Sequence, residues 1–235
     1  MTEEPVPVGR SWTTGIVREI ERPNDQFVKI RFEVADRTPH RPGQHYVVRL
    51  RAPDDYTAQR SYSIASDPDD PLVEIMVEVL PRGEVSPFLH EIAEVGDEFE
   101  LRGPIGRWFV WNDEVPSICV GGGSGVVPFV SMMRYAQRLG IDPRLRVIVS
   151  AQTRERLPYA DELESYGALI ALTRENDHDR VAAHIYPNEV AALAFGAQRA
   201  YVCGSVGFVS FVGRILGEAG IPENVVRVEQ FGPSA

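Results

Sequence analysis

The pattern of apolar residues changes character near residue 112, and that change limits the architectures open to this chain. Before it, short alternating stretches are separated by turn residues. In Gln26–Val34, the residues Val28, Ile30, Phe32 and Val34 face one way, and Lys29, Arg31 and Glu33 the other. That is the period of a half-buried strand. Further strands are expected at Trp12–Ile20, Gln44–Leu50, Arg60–Ser66, Leu72–Leu80 and Glu98–Arg102. Short strands punctuated by turns predict an antiparallel barrel of Greek-key type. Beyond Asn112–Pro116 the strands are apolar throughout and alternate with helices. They fall at Ser117–Val120, Leu145–Ala151, Ala168–Thr173, Arg199–Cys203 and Val225–Glu229, with helices clearest at Val126–Leu139 and Val206–Ala219. That alternation predicts an α/β, Rossmann-like parallel sheet covered on both faces. The expected organisation is a barrel domain over residues 1–112 and an α/β domain over 113–235.

Composition narrows the functional classes. A net charge of −10 and a pI near 5.0 argue against nucleic acid or an anionic membrane as partner. Cys119 and Cys203 stand far apart, fit no metal-ligand spacing, and are too few to hold an iron–sulfur cluster. His40, His45, His90, His178 and His184 show no metal spacing either, so no metal site is expected. The start, Met1-Thr2-Glu3-Glu4-Pro5, lacks the basic and apolar regions of a signal peptide, and no apolar run approaches the roughly 20 residues of a membrane span. A cytoplasmic, monomeric protein is expected.

Four stretches carry candidate chemistry. Arg60-Ser61-Tyr62-Ser63-Ile64-Ala65-Ser66 puts a permanent cation, an aromatic ring and a small hydroxyl on one extended segment. Read as a strand, it directs Arg60, Tyr62 and Ile64 to one face and Ser61, Ser63 and Ala65 to the other. A flavin needs such groups, and a guanidinium fork suits its diphosphate. An ordinary barrel strand with a tyrosine in its wall is the alternative. In Pro81-Arg82-Gly83-Glu84-Val85-Ser86-Pro87, Ser86 reads as a helix N-cap and Pro87 as the first helical residue, with Phe88, Leu89, Ile92 and Val95 following at helical spacing. A helix start of this kind can bind phosphate, or can be a plain capped helix. The run Gly121-Gly122-Gly123-Ser124-Gly125-Val126-Val127-Pro128 sits at a strand-to-helix turn, where glycines let backbone approach a diphosphate. Cys203-Gly204 ends the fourth strand of the second domain, at the carboxyl edge where open α/β sheets bind ligands. Nothing beside Cys203 would lower its pKa, so it does not read as a nucleophile.

Together these residues resemble the ferredoxin–NADP reductase-like family of FAD-dependent oxidoreductases, of the stand-alone bacterial type, over nearly the whole chain. The R-x-Y-S flavin motif is Arg60-Ser61-Tyr62-Ser63, and the G-x-x-S turn for the flavin diphosphate is Gly83-Glu84-Val85-Ser86. The pyridine-nucleotide loop is Gly121–Pro128, the cysteine–glycine strand end is Cys203-Gly204, and the E-x-aromatic ending is Glu229-Gln230-Phe231.

The resemblance implies that Tyr62 packs on one flavin face, Ser63 lies near N5 and Phe231 shields the opposite face. The nicotinamide would displace Phe231 and pass Cys203, with Glu229 polarising or relaying protons. Gly122, Gly123, Ser124 and Gly125 would cradle the nucleotide, and Thr173-Arg174 would take the 2′-phosphate of NADP. Relatives often have arginine where Gln152 stands, and Arg154 is the expected substitute. The chain departs from some relatives in ending on Gly232-Pro233-Ser234-Ala235 after the phenylalanine.

The implied function is hydride transfer from NADPH to FAD, followed by single-electron transfer to a separate carrier such as ferredoxin. FAD is expected over FMN because both diphosphate-binding features are present. The alternatives are an NADH-dependent reductase component of an oxygenase or molybdenum enzyme system, and a nucleotide-binding regulatory module without turnover.

Overall fold

A computed structural model describes residues 6, 8, 9, 11–80, 82–178 and 180–231. The chain divides into two compact units, Met1–Trp111 and Asn112–Ala235.

The first unit is built from β1 (Trp12–Asn24), β2 (Phe27–Val34), β3 (His45–Arg51), β4 (Thr57–Ser63), β5 (Val73–Glu78), α1 (Val85–Glu91) and β6 (Glu98–Ile105). The strands form a six-stranded sheet in the order β4-β3-β6-β1-β2-β5, antiparallel throughout. Insertion of the last strand, β6, between β3 and β1 gives the expected Greek-key path. Val28, Ile30, Phe32 and Val34 are all buried, as their alternation requires, and pack with Val17, Val48, Ile75, Val77 and Leu101. The opposite face of β2 is a ladder of ion pairs: Arg18–Glu33 at 2.7 Å, Lys29–Glu21 at 2.5 Å and Arg31–Glu19 at 2.9 Å. Surface pairs of this kind add little stability, so the apolar face holds the sheet. Just past β4, Ile64 bridges Ile75, and the Ala65 N–H donates to the Glu74 carbonyl at 2.8 Å. The segment after β4 thus meets β5, bringing the two ends of the sheet together at that point without a closing ladder between β4 and β5. The outer edge of β4 from Thr57 to Ser63 carries no strand partner among the described residues.

One expectation fails here. Ser86 is not the N-cap of α1; Glu84 is, and the Ser86 hydroxyl instead accepts the Leu80 N–H at 3.0 Å. Pro87 falls in the first turn rather than opening it. The helix ends at Glu91, buries Leu89 and leaves Phe88, Ile92 and Val95 exposed. The sequence could not separate these readings, because a serine suits a turn as well as a cap.

The second unit holds β7 (Ser117–Gly122), a 3₁₀ turn (Gly123–Val126), α2 (Val127–Leu139), β8 (Leu145–Ala151), α3 (Ala160–Tyr166), β9 (Leu169–Leu172), α4 (Pro187–Ala194), β10 (Arg199–Gly204), α5 (Val206–Glu218) and β11 (Val226–Gln230). All pairings are parallel, in the order β11-β10-β7-β8-β9. Ile118, Val120, Ile148, Ala200 and Val202 pack with Val190 of α4 and with Val212, Ile215 and Leu216 of α5. On the other face the Cys119 thiol lies 3.7 Å from the Met132 sulfur of α2. Both faces are covered, which is why the strands are apolar throughout rather than alternating. The order reverses between β7 and β10, and the crevice at that reversal is where such sheets bind ligands.

Candidate active site

In the first unit the candidate residues line the open edge of β4. Arg60 is exposed, and its guanidinium makes one bond among the described residues, to the Gln59 carbonyl at 2.7 Å. Its remaining N–H groups are available to a ligand. Ser61 is exposed, Tyr62 half-buried against the core, and Ser63 buried. The expected two-face alternation breaks at this point, since Ser63, Ile64 and Ala65 are all buried. Burial holds the Tyr62 phenol well above its ordinary pKa, against the opposing pull of Arg60.

The turn Gly83-Glu84-Val85-Ser86 converges on the same region. Gly83 is boxed in: a Cβ there would lie 3.1 Å from both the Leu80 carbonyl oxygen and the Ser86 hydroxyl. Tyr56 joins the β3–β4 hairpin to this turn, its hydroxyl donating to the Glu84 carboxylate at 2.9 and 3.0 Å. Glu84 raises the Tyr56 pKa, and Arg60 acts on the same phenol in the opposite sense. Arg60 and the Gly83–Ser86 turn therefore meet around Tyr56. A free guanidinium beside a helix start fits a diphosphate, whose charge both can receive.

Sequence reasoning missed Tyr56, and also Tyr46. Tyr46 stands opposite Tyr62 in the β3–β4 register, and its ring occupies the space a Gly103 side chain would take. Its buried hydroxyl has no hydrogen-bond partner among the described residues, and burial pushes its pKa up to about 12. No local motif marks either tyrosine.

In the second unit the candidates gather at the β7/β10 reversal. The Gly121–Gly125 run is not a loose loop but the end of β7 passing straight into the 3₁₀ turn. Its glycines serve different ends. A Cβ on Gly125 would sit 2.4 Å from the Cys203 carbonyl oxygen, and one on Gly122 would sit 2.8 Å from the Phe208 ring, so these two pack against the chain itself. Gly123 differs, with a φ of +57° and nothing within 4 Å of its Cβ position. It leaves open backbone at the mouth of the crevice, beside half-buried Ser124.

Cys203 pairs in register with Glu229, and Gly204 with Gln230. The Phe231 N–H donates to the Gly204 carbonyl at 3.0 Å, which brings the half-buried aromatic to the same edge. Gly232–Ala235 lies outside the described residues. Burial pushes the Cys203 thiol up, with Glu229 adding to the shift, so Cys203 is a neutral thiol. Burial also raises the Glu229 carboxyl to about 7. Phe208, placed against both Gly122 and Gly204, is a further residue of this crevice that the sequence did not single out.

The edge formed by β8 and β9 gathers Gln152, Thr173 and Arg174. The Thr173 N–H donates to the Ala151 carbonyl and the Arg174 N–H to the Gln152 carbonyl, both at 2.9 Å. Arg154 does not join them as expected. Its guanidinium is held by Asp161 at 2.7 Å, Glu164 at 2.5 Å and Asp177 at 3.5 Å, and its backbone N–H by Glu175. A phosphate approaching Arg154 would have to displace carboxylates already seated there. Among the described residues no group of His, Cys, Asp or Glu could hold a metal ion, and no helix is long and apolar enough to cross a membrane.

Comparison with known proteins accords with this geometry. Residues 16–110 match the model of the oxidoreductase FAD-binding domain. The chain is 25% identical over 229 residues to the ferredoxin–NAD(P)(+) reductase component of the naphthalene 1,2-dioxygenase system of Pseudomonas putida, covering 93% of this chain and 69% of that protein. It is 30% identical over 203 residues to the toluate 1,2-dioxygenase electron transfer component of Pseudomonas putida, covering 83% of this chain and 59% of that one. Among solved structures, the flavohem-like FAD/NAD binding domain of nitric oxide dioxygenase from Vibrio cholerae superposes with a TM-score of 0.85 at 22% identity, covering 95% of this chain and all of that one. A ferredoxin NADP+ reductase from Neisseria gonorrhoeae, with bound FAD and NADP, gives 0.78 at 16% identity, covering 93% and 98%. Fold and matched domain agree: residues 16–110 match an oxidoreductase FAD-binding domain, and the chain as a whole is similar to ferredoxin–NAD(P)(+) reductase components.

Proposed function

We propose that this chain takes a hydride from a nicotinamide nucleotide onto FAD and delivers the electrons singly to a separate redox protein. One observation carries the reading. An FAD-binding barrel is joined in one chain to a parallel sheet whose reversal point gathers Gly123, Cys203, Glu229 and Phe231. Bound FAD supplies hydride acceptance and the change from two-electron to one-electron transfer. The chain's own residues supply binding, orientation and charge.

In this reading Arg60, with the turn at Gly83, Val85 and Ser86, receives the diphosphate. Tyr62 offers a flat face to the flavin ring, and Ser63 offers its hydroxyl to the reactive ring nitrogen. Gly122 and Gly125 hold the crevice closed on its own backbone, so that Gly123 and Ser124 meet the nucleotide. Glu229 holds a proton near neutrality, beside the un-ionised Cys203. Phe231 covers the nicotinamide position until the nucleotide arrives. Aligning donor and acceptor at roughly 3–3.5 Å is the main catalytic contribution asked of the protein.

The acceptor we propose is a ferredoxin or an oxygenase component. The reading follows relatives described as reductase or electron transfer components of dioxygenase systems. Either NADPH or NADH could serve such a system, and NADPH is the proposed donor because Thr173-Arg174 stands at the β9 end. Anaerobic titration of the purified yellow protein with each nucleotide is the test. Loss of the flavin's visible absorbance supports the reading, and a flavin untouched by both nucleotides overturns it.

A further inference from the structure

We infer that Phe88, Ile92 and Val95, on the outer side of α1 and the turn after it, form with the carboxylates around them a docking surface for the basic face of the electron acceptor protein. This rests on the reading that electrons leave the flavin for a separate protein.

The segment carries two apolar stripes. Val85, Leu89 and Ala93, four residues apart, are each 1% exposed or less and fasten α1 to the sheet. Phe88, Ile92 and Val95 follow at i, i+4 and i+7, and are 38%, 58% and 61% exposed. One stripe is enough to seat a helix on a sheet, so the outer one is surplus to that packing. The segment is also firmly held. The Arg22 guanidinium donates to the His90 carbonyl and, at 2.7 Å, to the Ala93 carbonyl. Phe88 meets the Phe99 ring edge-on with centroids 6.3 Å apart, and the Gly96 N–H donates to the Val17 carbonyl at 2.9 Å. An exposed apolar patch rimmed by polar groups marks a protein contact, and one already in place binds with little ordering cost.

Charge selects the partner. From Glu84 to Glu98 the sequence holds five acids and no lysine or arginine. Glu91, Glu94 and Glu98 are exposed and, among the described residues, stand in no ion pair. Arg22, the cation packed against the segment, is turned to the carbonyls at the end of α1. A second copy of the chain would set these carboxylates against their equivalents, and nucleic acid or an anionic membrane would be repelled too. A protein face of apolar side chains ringed by lysine and arginine is complementary in both respects. α1 opens within the Gly83–Ser86 turn that the reading gives to the FAD diphosphate, so a partner seated here shares the flavin's domain.

Steady-state turnover of the FAD-loaded protein, with the nucleotide that reduces its flavin, tests this. Cytochrome c serves as a basic one-electron acceptor, and ferricyanide as a small acceptor that needs no docking face. Each nucleotide gives up one hydride, so two ferric haems become ferrous and one proton is released. Glu94→Lys should raise the KM for cytochrome c by about 5-fold or more and flatten its dependence on salt. Ile92→Ser should raise that KM by about the same factor and leave the salt dependence as it is. Ferricyanide turnover should stay level in both variants. Glu223→Lys, the same charge change at an exposed residue of the second unit, is the control. A KM that either Glu94→Lys or Ile92→Ser leaves unmoved, or an equal rise in Glu223→Lys, would overturn the surface. So would wild-type protein that reduces ferricyanide but not cytochrome c. Flavin reduced by neither nucleotide would instead remove the reading beneath it.

Discussion

Cys203 and Glu229 stand side by side across the parallel pair β10–β11, and burial disfavours the charged form of both. An ionised carboxylate in such a place costs free energy unless it is paired, and among the described residues no ion pair reaches Glu229. Its raised pKa therefore links stability to pH. The folded state binds this proton more tightly than the unfolded chain does. The resulting stability is full below the ordinary carboxylate range and is lost as pH rises through about 7. Glu229→Gln should leave unfolding nearly unchanged at pH 4–5, roughly the unfolded carboxylate range. It should raise stability above neutrality by at most about 3 kcal/mol. Denaturant midpoints measured across that range check this, and parallel curves for the two proteins would contradict it.

Arg60 has charge to give and almost nothing around it to take it. Arg60→Ala should lower FAD occupancy on purification, since a charge-assisted contact is worth roughly 1.5–3 kcal/mol. Equilibrium binding of FAD to stripped protein gives the factor directly. Affinity equal to wild type would take Arg60 out of the site.

Ser63 is buried in register with His45, at the end of the open edge of β4. Ser63→Ala should retain FAD yet slow its reduction, by about 10-fold if the hydroxyl acts chiefly in the transition state. Stopped-flow single turnovers separate this from binding. An unaltered reduction rate would leave Ser63 a packing residue.

Gly125 meets backbone rather than solvent, with its Cβ position 2.4 Å from the Cys203 carbonyl oxygen. Gly125→Ala must push β10 away from the 3₁₀ turn, at a cost of about 1–3 kcal/mol. Gly123→Ala meets no atom but must hold a φ of +57°, so its cost is conformational strain of about 1–2 kcal/mol. Thermal unfolding should place both variants below wild type, and weaker nucleotide binding should accompany Gly125→Ala. A Gly125→Ala protein as stable as wild type would show that the two segments part freely.

Periodicity alone determined a good deal of this protein. The alternation in Gln26–Val34 and the apolar runs at Ser117–Val120 and Leu145–Ala151 predict an antiparallel sheet followed by a parallel one, because a strand covered on one face alternates and a strand covered on both does not. Arg60, Tyr62, the glycine run and Cys203-Gly204 were legible because a charge, a ring and missing side chains are local facts.

Only the tertiary structure decided what those groups face. Ser86 reads equally as a cap or a turn until Leu80 is seen to donate to it. Arg154 and Arg156 are two residues apart and alike in chemistry. One is enclosed by carboxylates from α3 and the loop after β9, and the other rests on a neutral amide. Gly122, Gly123 and Gly125 look equivalent in sequence, yet Phe208, open space and Cys203 separate them. Sequence fixes which groups exist, but charge pairing and close approach depend on segments distant along the chain, and those meet only when the sheet has formed.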